Sequence, residues 1–298
     1  MKASLNALIA RLNEYEKLMR LDKPIGSLLL LWPTLWALWL SAAGRPEWTL
    51  VWVFILGTVL MRSAGCVLND YADRNFDPHV ERTRDRPLAA RRIKPGEALC
   101  LAAALVLLAF FLLIPFLTGM LMLLAVIALL LAATYPFTKR FFAIPQAWLG
   151  IAYGFGVPMA YAAQQGRVPL EGWLLLLANM FWTVAFDTEY AMVDRADDLK
   201  IGIKTSAITF GRFDVLAILC CYAIALVMLA GLGLYAGLGA VFLAFVGVAC
   251  ALAHYHYRLI RNRRESECFR AFLHNNWVGA AIFAGIALDY LARGILPF

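Results

Sequence analysis

Residues 98–138 read ALCLAAALVLLAFFLLIPFLTGMLMLLAVIALLLAATYPFT, a run of 41 positions without Asp, Glu, Lys or Arg. Residues 215–257 form a second uncharged run, of 43 positions. A helix needs about 20 apolar residues to cross a hydrocarbon core of about 30 Å. Each run is therefore long enough for two membrane-spanning helices joined by a tight turn. Barrel strands are not expected, because they alternate in polarity over only about 10 residues.

The composition of the whole chain indicates the same class of protein. Of its 298 residues, 62% are hydrophobic and 16% are charged, whereas soluble domains average about 45–50% apolar and about 25% charged residues. These values exclude a soluble globular domain and a disordered chain. We expect a single all-helical, polytopic membrane domain over residues 1–298, because no linker or composition shift divides the chain.

The apolar segments predict nine transmembrane helices around a central cavity. Their expected bounds are residues 25–43, 49–70, 98–117, 120–138, 144–163, 170–190, 215–233, 237–257 and 271–292. Cytoplasmic loops are enriched in Lys and Arg, and this arrangement puts 23 of the 27 basic residues on one side and three on the other. The N-terminus is therefore expected in the cytoplasm. Because topology explains the net charge of +7, nucleic-acid binding is not expected.

The segment 1–23 is expected to lie on the membrane surface. Its charged residues alternate with Leu5, Leu8, Ile9 and Leu12 at a helical period. This pattern is typical of an amphipathic interfacial helix and lacks the compact apolar core of a signal peptide.

A first acidic cluster stands where the second predicted helix leaves the membrane. Asn69, Asp73 and Asp77 are spaced at i, i+4 and i+8, with Asp70 beside them, so four oxygen ligands would face one way on a helix. A carboxylate at bilayer depth costs about 2.5–3.5 kcal/mol, and neighbouring carboxylates repel each other. The cluster therefore predicts a bound cation, and all-oxygen ligation favours Mg²⁺. The alternative is that these acids are hydrated and pair with nearby arginines.

A second acidic cluster follows the sixth predicted helix. Asp187, Asp194 and Asp198 fall at i, i+7 and i+11, again on one helical face. Residues 73–77 and 194–198 both contain Asp-Arg-x-x-Asp, which indicates an internal pseudo-repeat. The recurrence favours metal binding over ordinary loop acids.

Basic residues follow each acidic cluster. Arg82 and Arg86 come after the first, and Lys200 and Lys204 after the second. Carboxylates, a divalent metal and then basic side chains are the arrangement that binds a diphosphate. The alternative for each basic residue is the ordinary positive charge of a cytoplasmic loop.

Lys139 and Arg140 follow the fourth predicted helix, at the same membrane face. A guanidinium there can clamp a carboxylate with two hydrogen bonds, and the alternative for both residues is snorkelling to the interface. In the next helix, Gly150, Gly154 and Gly156 favour close helix packing, or a groove for a lipid-like chain.

His254 and His256 in the eighth predicted helix are expected at the membrane interface.

These motifs resemble those of the UbiA-type intramembrane aromatic prenyltransferases. The resemblance extends over residues 20–26, 69–77, 86–88, 135–137, 190–198 and 200–204. The two acidic motifs carry the resemblance to the superfamily as a whole. Asp-Lys-Pro-Ile-Gly at 22–26, Tyr-Ala-Met-Val-Asp-Arg at 190–195 and Lys-Ile-Gly-Ile-Lys at 200–204 are similar to its 4-hydroxybenzoate branch. Glu189 and Ala196 depart from that branch, where an amide and an acid are expected.

The resemblance implies Mg²⁺-dependent transfer of a polyprenyl group from polyprenyl diphosphate to the 3-position of 4-hydroxybenzoate, a step of ubiquinone biosynthesis. It implies a first Mg²⁺ bound by Asn69, Asp70, Asp73 and Asp77, and a second bound by Asp194 and Asp198. Asp73 and Asp194 are accordingly expected to be catalytic. The diphosphate is expected to contact Arg82, Arg86, Lys200 and Lys204.

The resemblance also implies residues for the aromatic acceptor. Arg140 is expected to bind the benzoate carboxylate, with Lys139 as the alternative. Asp187 is expected to receive the phenol or the departing ring proton, and Tyr190 to contact substrate. The enzyme is expected in the bacterial inner membrane, with its active site facing the cytoplasm and open sideways to membrane lipid, and no protein partner is inferred.

Two alternatives remain at this point. The same chemistry can use another acceptor, such as homogentisate, a dihydroxynaphthoate, or a haem or chlorophyll precursor. A cation-coupled transporter would also place paired acids at helix breaks in the membrane. It would hold them near the midplane without adjoining basic loops, whereas both clusters here are expected at cytoplasmic helix ends.

Overall fold

The computed structural model describes residues 2–295, without the side chains of residues 2–5 and 7. Over that range the chain forms helices and turns only, so the all-helical class is confirmed. The α-helices are α1 Lys2–Met19, α2 Ile25–Ser41, α3 Trp48–Asp73, α4 Pro95–Leu113, α5 Gly119–Thr138, α6 Pro145–Gly154, α7 Gly156–Gln165, α8 Leu170–Ile201, α9 Ser206–Phe210, α10 Asp214–Tyr235, α11 Ala240–Ile260 and α12 Glu265–Ala292. The predictions for residue 1, the Leu5 side chain and residues 296–298 lie outside the described residues.

Six helical segments in the described range are long and apolar enough to cross a membrane, which indicates a multi-pass membrane protein. They are Trp48–Asp73, Pro95–Phe116, Gly119–Thr138, Ser206–Tyr235, Ala240–Ile260 and Glu265–Ala292. The apolar helix α2 is shorter, at 17 residues. The count of nine spans and the cytoplasmic N-terminus stay predictions.

The fifth predicted helix, residues 144–163, is in fact two helices that meet at Phe155. Close packing against α8 explains the glycines around this break. A Cβ atom on Gly150 would lie 2.9 Å from the Met180 Cα, which is closer than side chains approach a backbone. The Asn179 side chain donates to the Gly150 carbonyl at 3.1 Å and so satisfies a backbone acceptor there. The packing interpretation of Gly150 is therefore confirmed.

The chain divides into two compact units. The first comprises Met1–Ser27 and Ile55–Pro115 and contains α1, the later part of α3, and α4. Its buried core is formed by Leu18, Val67, Leu88, Ile93, Ala98 and Ala102. On α1, Leu8, Ile9 and Leu12 remain about half exposed, which suits the predicted interfacial placement. The single-domain assignment and the interfacial helix stay predictions.

The second unit comprises Leu28–Phe54 and Phe116–Phe298. Its longest helix, α8, has 32 residues and packs against α6, α7, α9, α10 and α12. Trp36 is fully buried and donates to the Gly279 carbonyl at 3.1 Å. His256, which is expected at the membrane interface, is fully buried within the protein in α11, and its depth in the membrane stays a prediction. Helix α8 also carries the second acidic motif, so its packing decides where those acids point.

Candidate active site

The first acidic cluster lies in the first unit, at the end of α3. Asp70, Asp73 and Asp77 are 1%, 3% and 6% exposed, so these carboxylates are not hydrated loop acids. The expectation of one helical stripe from Asn69 to Asp77 is wrong, because α3 ends at Asp73 and a short 3-10 helix begins at Asp77. A helix rarely continues through the residue before a proline, and residue 78 is Pro.

Local hydrogen bonds keep the acids together despite the end of the helix. The Phe76 N–H donates to the Asp73 carbonyl at 2.7 Å and turns the chain back. The Asn69 amide donates to Asp73 Oδ2 at 3.2 Å. The Thr83 hydroxyl donates to the Asp77 carbonyl at 2.9 Å and fixes the following turn.

Two guanidinium groups contact this cluster. Arg20 Nη2 lies 2.9 Å from Asp70 Oδ1. Arg86 Nη1 lies 3.0 Å from Asp70 Oδ1 and 3.0 Å from Asp77 Oδ2. Burial raises the pKa of the Asp77 carboxyl; Arg86 opposes this, while Asp70 and Asp73 add to it, and the net shift is upward. The three acids therefore interact electrostatically as one group.

Arg20 is the residue of this cluster to which the sequence assigned no role. It begins the 20–26 stretch of the family resemblance, and this was the signal that could have found it. It follows α1 with a positive φ of 57°, a conformation uncommon outside glycine. Its partner Asp70 is 50 residues away in sequence, a separation that no helical period reveals.

The donor set of the first cluster fits a hard divalent cation. Its side chains offer carboxylate and amide oxygens, which are the ligands that Mg²⁺ prefers. Burial is the main cause of the raised pKa of Asp77, and repulsion from Asp70 and Asp73 adds to it. A bound cation would relieve that repulsion. In the part of the chain that the structure describes, however, no three His, Cys, Asp or Glu side chains are placed to hold one ion together. The guanidinium of Arg86 supplies positive charge between Asp70 and Asp77 in this arrangement.

The second acidic cluster lies in the second unit, and it is helical throughout. Asp187, Asp194 and Asp198 all belong to α8, as their helical spacing predicted. Each of the three side chains is half-buried. The helix ends at Gly202, whose φ is +74° and whose N–H donates to the Asp198 carbonyl. A left-handed backbone conformation just after the last helical residue favours glycine.

Arg195, inside the second motif, is held by partners in α9 and α10. It donates to the Ala207 carbonyl at 2.6 Å and forms an ion pair with fully buried Asp214. Arg263 contacts the same carboxylate at 2.7 Å. In the first motif Arg74 instead stacks on the Tyr71 ring, 4.3 Å from its centroid. The repeated sequence therefore has a different local role in each unit.

The predicted substrate-binding residues of the second unit are partly brought together. The backbone N–H of Lys204 donates to the Lys139 carbonyl at 2.9 Å, and the Lys204 ammonium donates to the Phe141 carbonyl at 3.1 Å. These bonds join the loop after α8 to the end of α5. Exposed Arg140 lies over the Phe137 ring, 5.2 Å from its centroid. Lys200 is exposed and pairs with Asp197 at 3.0 Å.

The other predicted site residues have the following positions. Half-buried Tyr190 packs against Phe272 with ring centroids 4.6 Å apart. Arg82 is exposed in the turn before Arg86, in the first unit. A cavity of about 210 Å³ in the second unit is lined by residues such as Tyr161, Glu171 and Tyr290, and none of the predicted site residues lines it. The central cavity predicted from the sequence stays a prediction.

Comparison with known proteins gives relatives that match nearly the whole chain. A 4-hydroxybenzoate octaprenyltransferase of Dechloromonas aromatica (strain RCB) is 65% identical over 289 residues, which cover 97% of each protein. The protein of the same name from Azoarcus sp. (strain BH72) is 66% identical over 281 residues, covering 94% of this chain and 98% of the relative.

Solved structures give the same fold. The apo structure of a UbiA homolog from Aeropyrum pernix K1 has a TM-score of 0.78 at 26% identity, covering 88% of this chain and 97% of the other. A UbiA homolog from Archaeoglobus fulgidus bound to GPP and Mg²⁺ has a TM-score of 0.67 at 17% identity, covering 92% of this chain and 99% of the other.

Residues 30–278 match the UbiA prenyltransferase family. With paired acidic motifs, an all-helical membrane fold and these matches, the chain belongs to the UbiA prenyltransferase family.

Proposed function

We propose that this chain transfers a polyprenyl group from polyprenyl diphosphate to the 3-position of 4-hydroxybenzoate, with Mg²⁺ as cofactor, as a step of ubiquinone biosynthesis. The observation that carries the proposal is the buried cluster of Asp70, Asp73 and Asp77 with Arg20 and Arg86 against it. Such a cluster suits a metal ion and the anionic group that accompanies it. The names of the two bacterial relatives supply the acceptor and the prenyl group that is transferred.

Two groups of residues would hold the metal ions. The first group comprises Asn69, Asp70, Asp73 and Asp77, and the second comprises Asp194 and Asp198. When bound, Mg²⁺ acts as a Lewis acid that neutralises negative charge on the diphosphate. The homologue from Archaeoglobus fulgidus binds GPP and Mg²⁺, which supports the choice of metal and of ligand class.

The basic residues stabilise the leaving group. Breaking the allylic C–O bond leaves its electron pair on the diphosphate, and positive side chains lower the energy of that charge. Arg86 is suited to stabilise the leaving diphosphate because its guanidinium lies against Asp70 and Asp77, two of the proposed metal ligands. Arg82, Lys200 and Lys204 would add charge around the diphosphate.

The acceptor side uses residues of the second unit. Arg140 would bind the benzoate carboxylate, with Lys139 as the alternative. Asp187 would take the proton that leaves the ring when the new C–C bond forms. Tyr190, packed on Phe272, would contact the substrate from an apolar wall, and such a wall protects an allylic cation from water.

The proposed location is the bacterial inner membrane, with nine spans and the active site facing the cytoplasm. The six long apolar helices support a multi-pass protein, and the bias of basic residues to one side supports the orientation. Membrane lipid would solvate the prenyl chain. No protein partner is needed for this chemistry.

The decisive experiment uses the purified protein in lipid with Mg²⁺, a prenyl diphosphate and 4-hydroxybenzoate. We expect release of diphosphate and formation of the 3-prenyl product, and loss of both on adding EDTA. Asp73→Asn and Asp194→Asn should abolish turnover while the protein still inserts and folds. Asp197→Asn is the matched control for Asp194→Asn, because Asp197 pairs with exposed Lys200. Turnover that survives both EDTA and Asp194→Asn, or that requires homogentisate as acceptor, would contradict the proposal.

A further inference from the structure

Four polar side chains meet inside the second unit, each from a different helix. Glu189 of α8, Tyr222 of α10, His256 of α11 and Asn275 of α12 are at most 2% exposed. The Tyr222 hydroxyl is the centre of the group. Its oxygen lies 3.0 Å from Glu189 Oε1, 2.9 Å from His256 Nδ1 and 2.7 Å from Asn275 Oδ1.

The orientation of the Asn275 amide follows from its other partners. Asn275 Nδ2 lies 3.1 Å from the Ala271 carbonyl oxygen, which only accepts hydrogen bonds. Asn275 Oδ1 lies 3.0 Å from Trp182 Nε1, which only donates. A flipped amide would oppose donor to donor and acceptor to acceptor. The atom that faces Tyr222 is therefore the amide oxygen, and it can only accept.

Hydrogen counting then fixes the remaining protons. The Tyr222 hydroxyl has one hydrogen, and Asn275 Oδ1 must receive it at 2.7 Å. The contacts of Tyr222 with Glu189 and His256 therefore require a hydrogen from those partners. His256 carries its hydrogen on Nδ1, and its Nε2 accepts from Nδ1 of half-buried His274 at 3.0 Å. Glu189 must carry a hydrogen on Oε1, since its Oε2 accepts from Asn275 Nδ2 at 2.8 Å.

We propose that Glu189 is held as a neutral carboxylic acid that donates to Tyr222, and that this four-helix cluster positions α8 for the second acidic motif. An ionised Glu189 would draw the Tyr222 hydrogen to itself and leave the Tyr222 and Asn275 oxygens 2.7 Å apart with no hydrogen between them. Among the described residues, no Lys or Arg pairs with Glu189. A buried carboxylate without a countercharge is strongly disfavoured. The absence of a basic partner and the hydrogen-bond geometry therefore both indicate a neutral Glu189.

The proposal that this cluster positions α8 for the second acidic motif rests on the proposed function. Asp194 lies five residues after Glu189, which places it about 140° further round the same helix. Glu189 therefore faces α10, α11 and α12 while Asp194 is presented on a different side. Fixing Glu189 to Tyr222 and Asn275 fixes the rotation of α8, and with it the direction of Asp194 and Asp198.

Infrared spectroscopy of the full chain in lipid tests the protonation state without any activity. At neutral pH we expect a C=O stretching band of a protonated carboxyl that is lost in Glu189→Gln. Glu265→Gln is the control, because Glu265 is exposed at the start of α12 and a hydrated carboxyl is ionised at neutral pH. A protonated-carboxyl band of equal size in the unsubstituted protein and in Glu189→Gln would overturn the neutral acid.

Thermal unfolding tests the positioning role, with Mg²⁺ and inorganic diphosphate as the probe. Glu189→Gln should titrate like the unsubstituted protein, because an amide can donate to Tyr222 and accept from Asn275. Glu189→Leu can do neither, and we expect its half-saturating Mg²⁺ concentration to rise about ten- to a hundredfold. An unchanged titration in Glu189→Leu would overturn the positioning role, and an equal loss in both variants would overturn the neutral acid. If the unsubstituted protein shows no Mg²⁺-dependent shift, the proposed function and the positioning role fail together, and the infrared result alone decides the state of Glu189.

Discussion

Arg86 lies 3.0 Å from Asp70, and both residues belong to the first unit although 16 positions separate them in sequence. The same guanidinium nitrogen also reaches Asp77 at 3.0 Å. The arginine thus neutralises buried carboxylates that are expected to hold Mg²⁺. A metal ion and this guanidinium are therefore alternative sources of positive charge for the same acids.

Arg86→Gln tests this relationship. Asp77 would lose its charged partner while Asp70 keeps Arg20, so we expect the free energy of unfolding to fall by about 1–3 kcal/mol. Added Mg²⁺ should stabilise the variant more than the unsubstituted protein, because the ion replaces the missing charge. Thermal unfolding with and without Mg²⁺ measures both effects. Arg84→Gln is the control: its ion pair with Glu81 is exposed and is worth about 0–1 kcal/mol. Equal stability losses in the two variants would contradict the prediction.

Arg140→Gln tests how the acceptor is bound. A guanidinium that binds the benzoate carboxylate contributes about 1.5–3 kcal/mol, so KM for 4-hydroxybenzoate should rise by about tenfold or more. KM for the prenyl diphosphate should stay the same. For Arg140→Lys, KM for 4-hydroxybenzoate should lie between the values of the unsubstituted protein and of Arg140→Gln, because lysine keeps the charge but loses the planar pair of donors. Steady-state kinetics with each substrate varied in turn gives these values. A selective loss in Lys139→Gln would transfer the role to Lys139, and a rise in KM for the diphosphate would assign Arg140 to that substrate.

Much of the helical structure could be predicted because composition alone determines it. The uncharged runs 98–138 and 215–257 contain most of α4 and α5 and of α10 and α11. A bilayer leaves a backbone few options other than a helix. Helix breaks were harder, because at Phe155 the chain leaves the helix inside an apolar stretch. At Asp73 the helix ends within a motif whose i, i+4 and i+8 spacing suggested one continuous helix.

The acids of the candidate site and the nearby Arg86 could be predicted, but contacts between residues far apart in sequence could not. Asp73 and Asp194 are conspicuous because charges are rare in apolar sequence. The ion pair of Arg20 with Asp70 depends on a contact between residues 50 positions apart. The group around Tyr222 depends on four helices meeting at one point. Periodicity within one helix carries no information about such contacts.

Asp214→Asn tests the anchor of the second acidic motif. Asp214 is fully buried and pairs with both Arg195 and Arg263. A neutral amide would leave the two guanidinium groups near each other without a countercharge, so we expect a loss of about 1–3 kcal/mol in the free energy of unfolding. Asp197→Asn, which disrupts only a partly exposed pair with Lys200, should cost about 0–1 kcal/mol. Thermal unfolding of the two variants compares them directly, and an equal cost would show that Asp214 is not a structural anchor.

Gly150→Ala tests the close approach of α6 to α8. The new methyl group would lie 2.9 Å from the Met180 Cα, and a helix backbone cannot move aside as a flexible side chain can. We expect a loss of about 1–3 kcal/mol from overpacking, measured as a lower thermal unfolding temperature. Gly247→Ala in α11 is the matched control, because its added Cβ would meet nothing within 4 Å. That variant should be neutral or slightly more stable, since alanine favours a helix by about 0.5–1 kcal/mol over glycine. Destabilisation of both variants to the same degree would mean that the loss of glycine itself, and not the contact with α8, determines the cost.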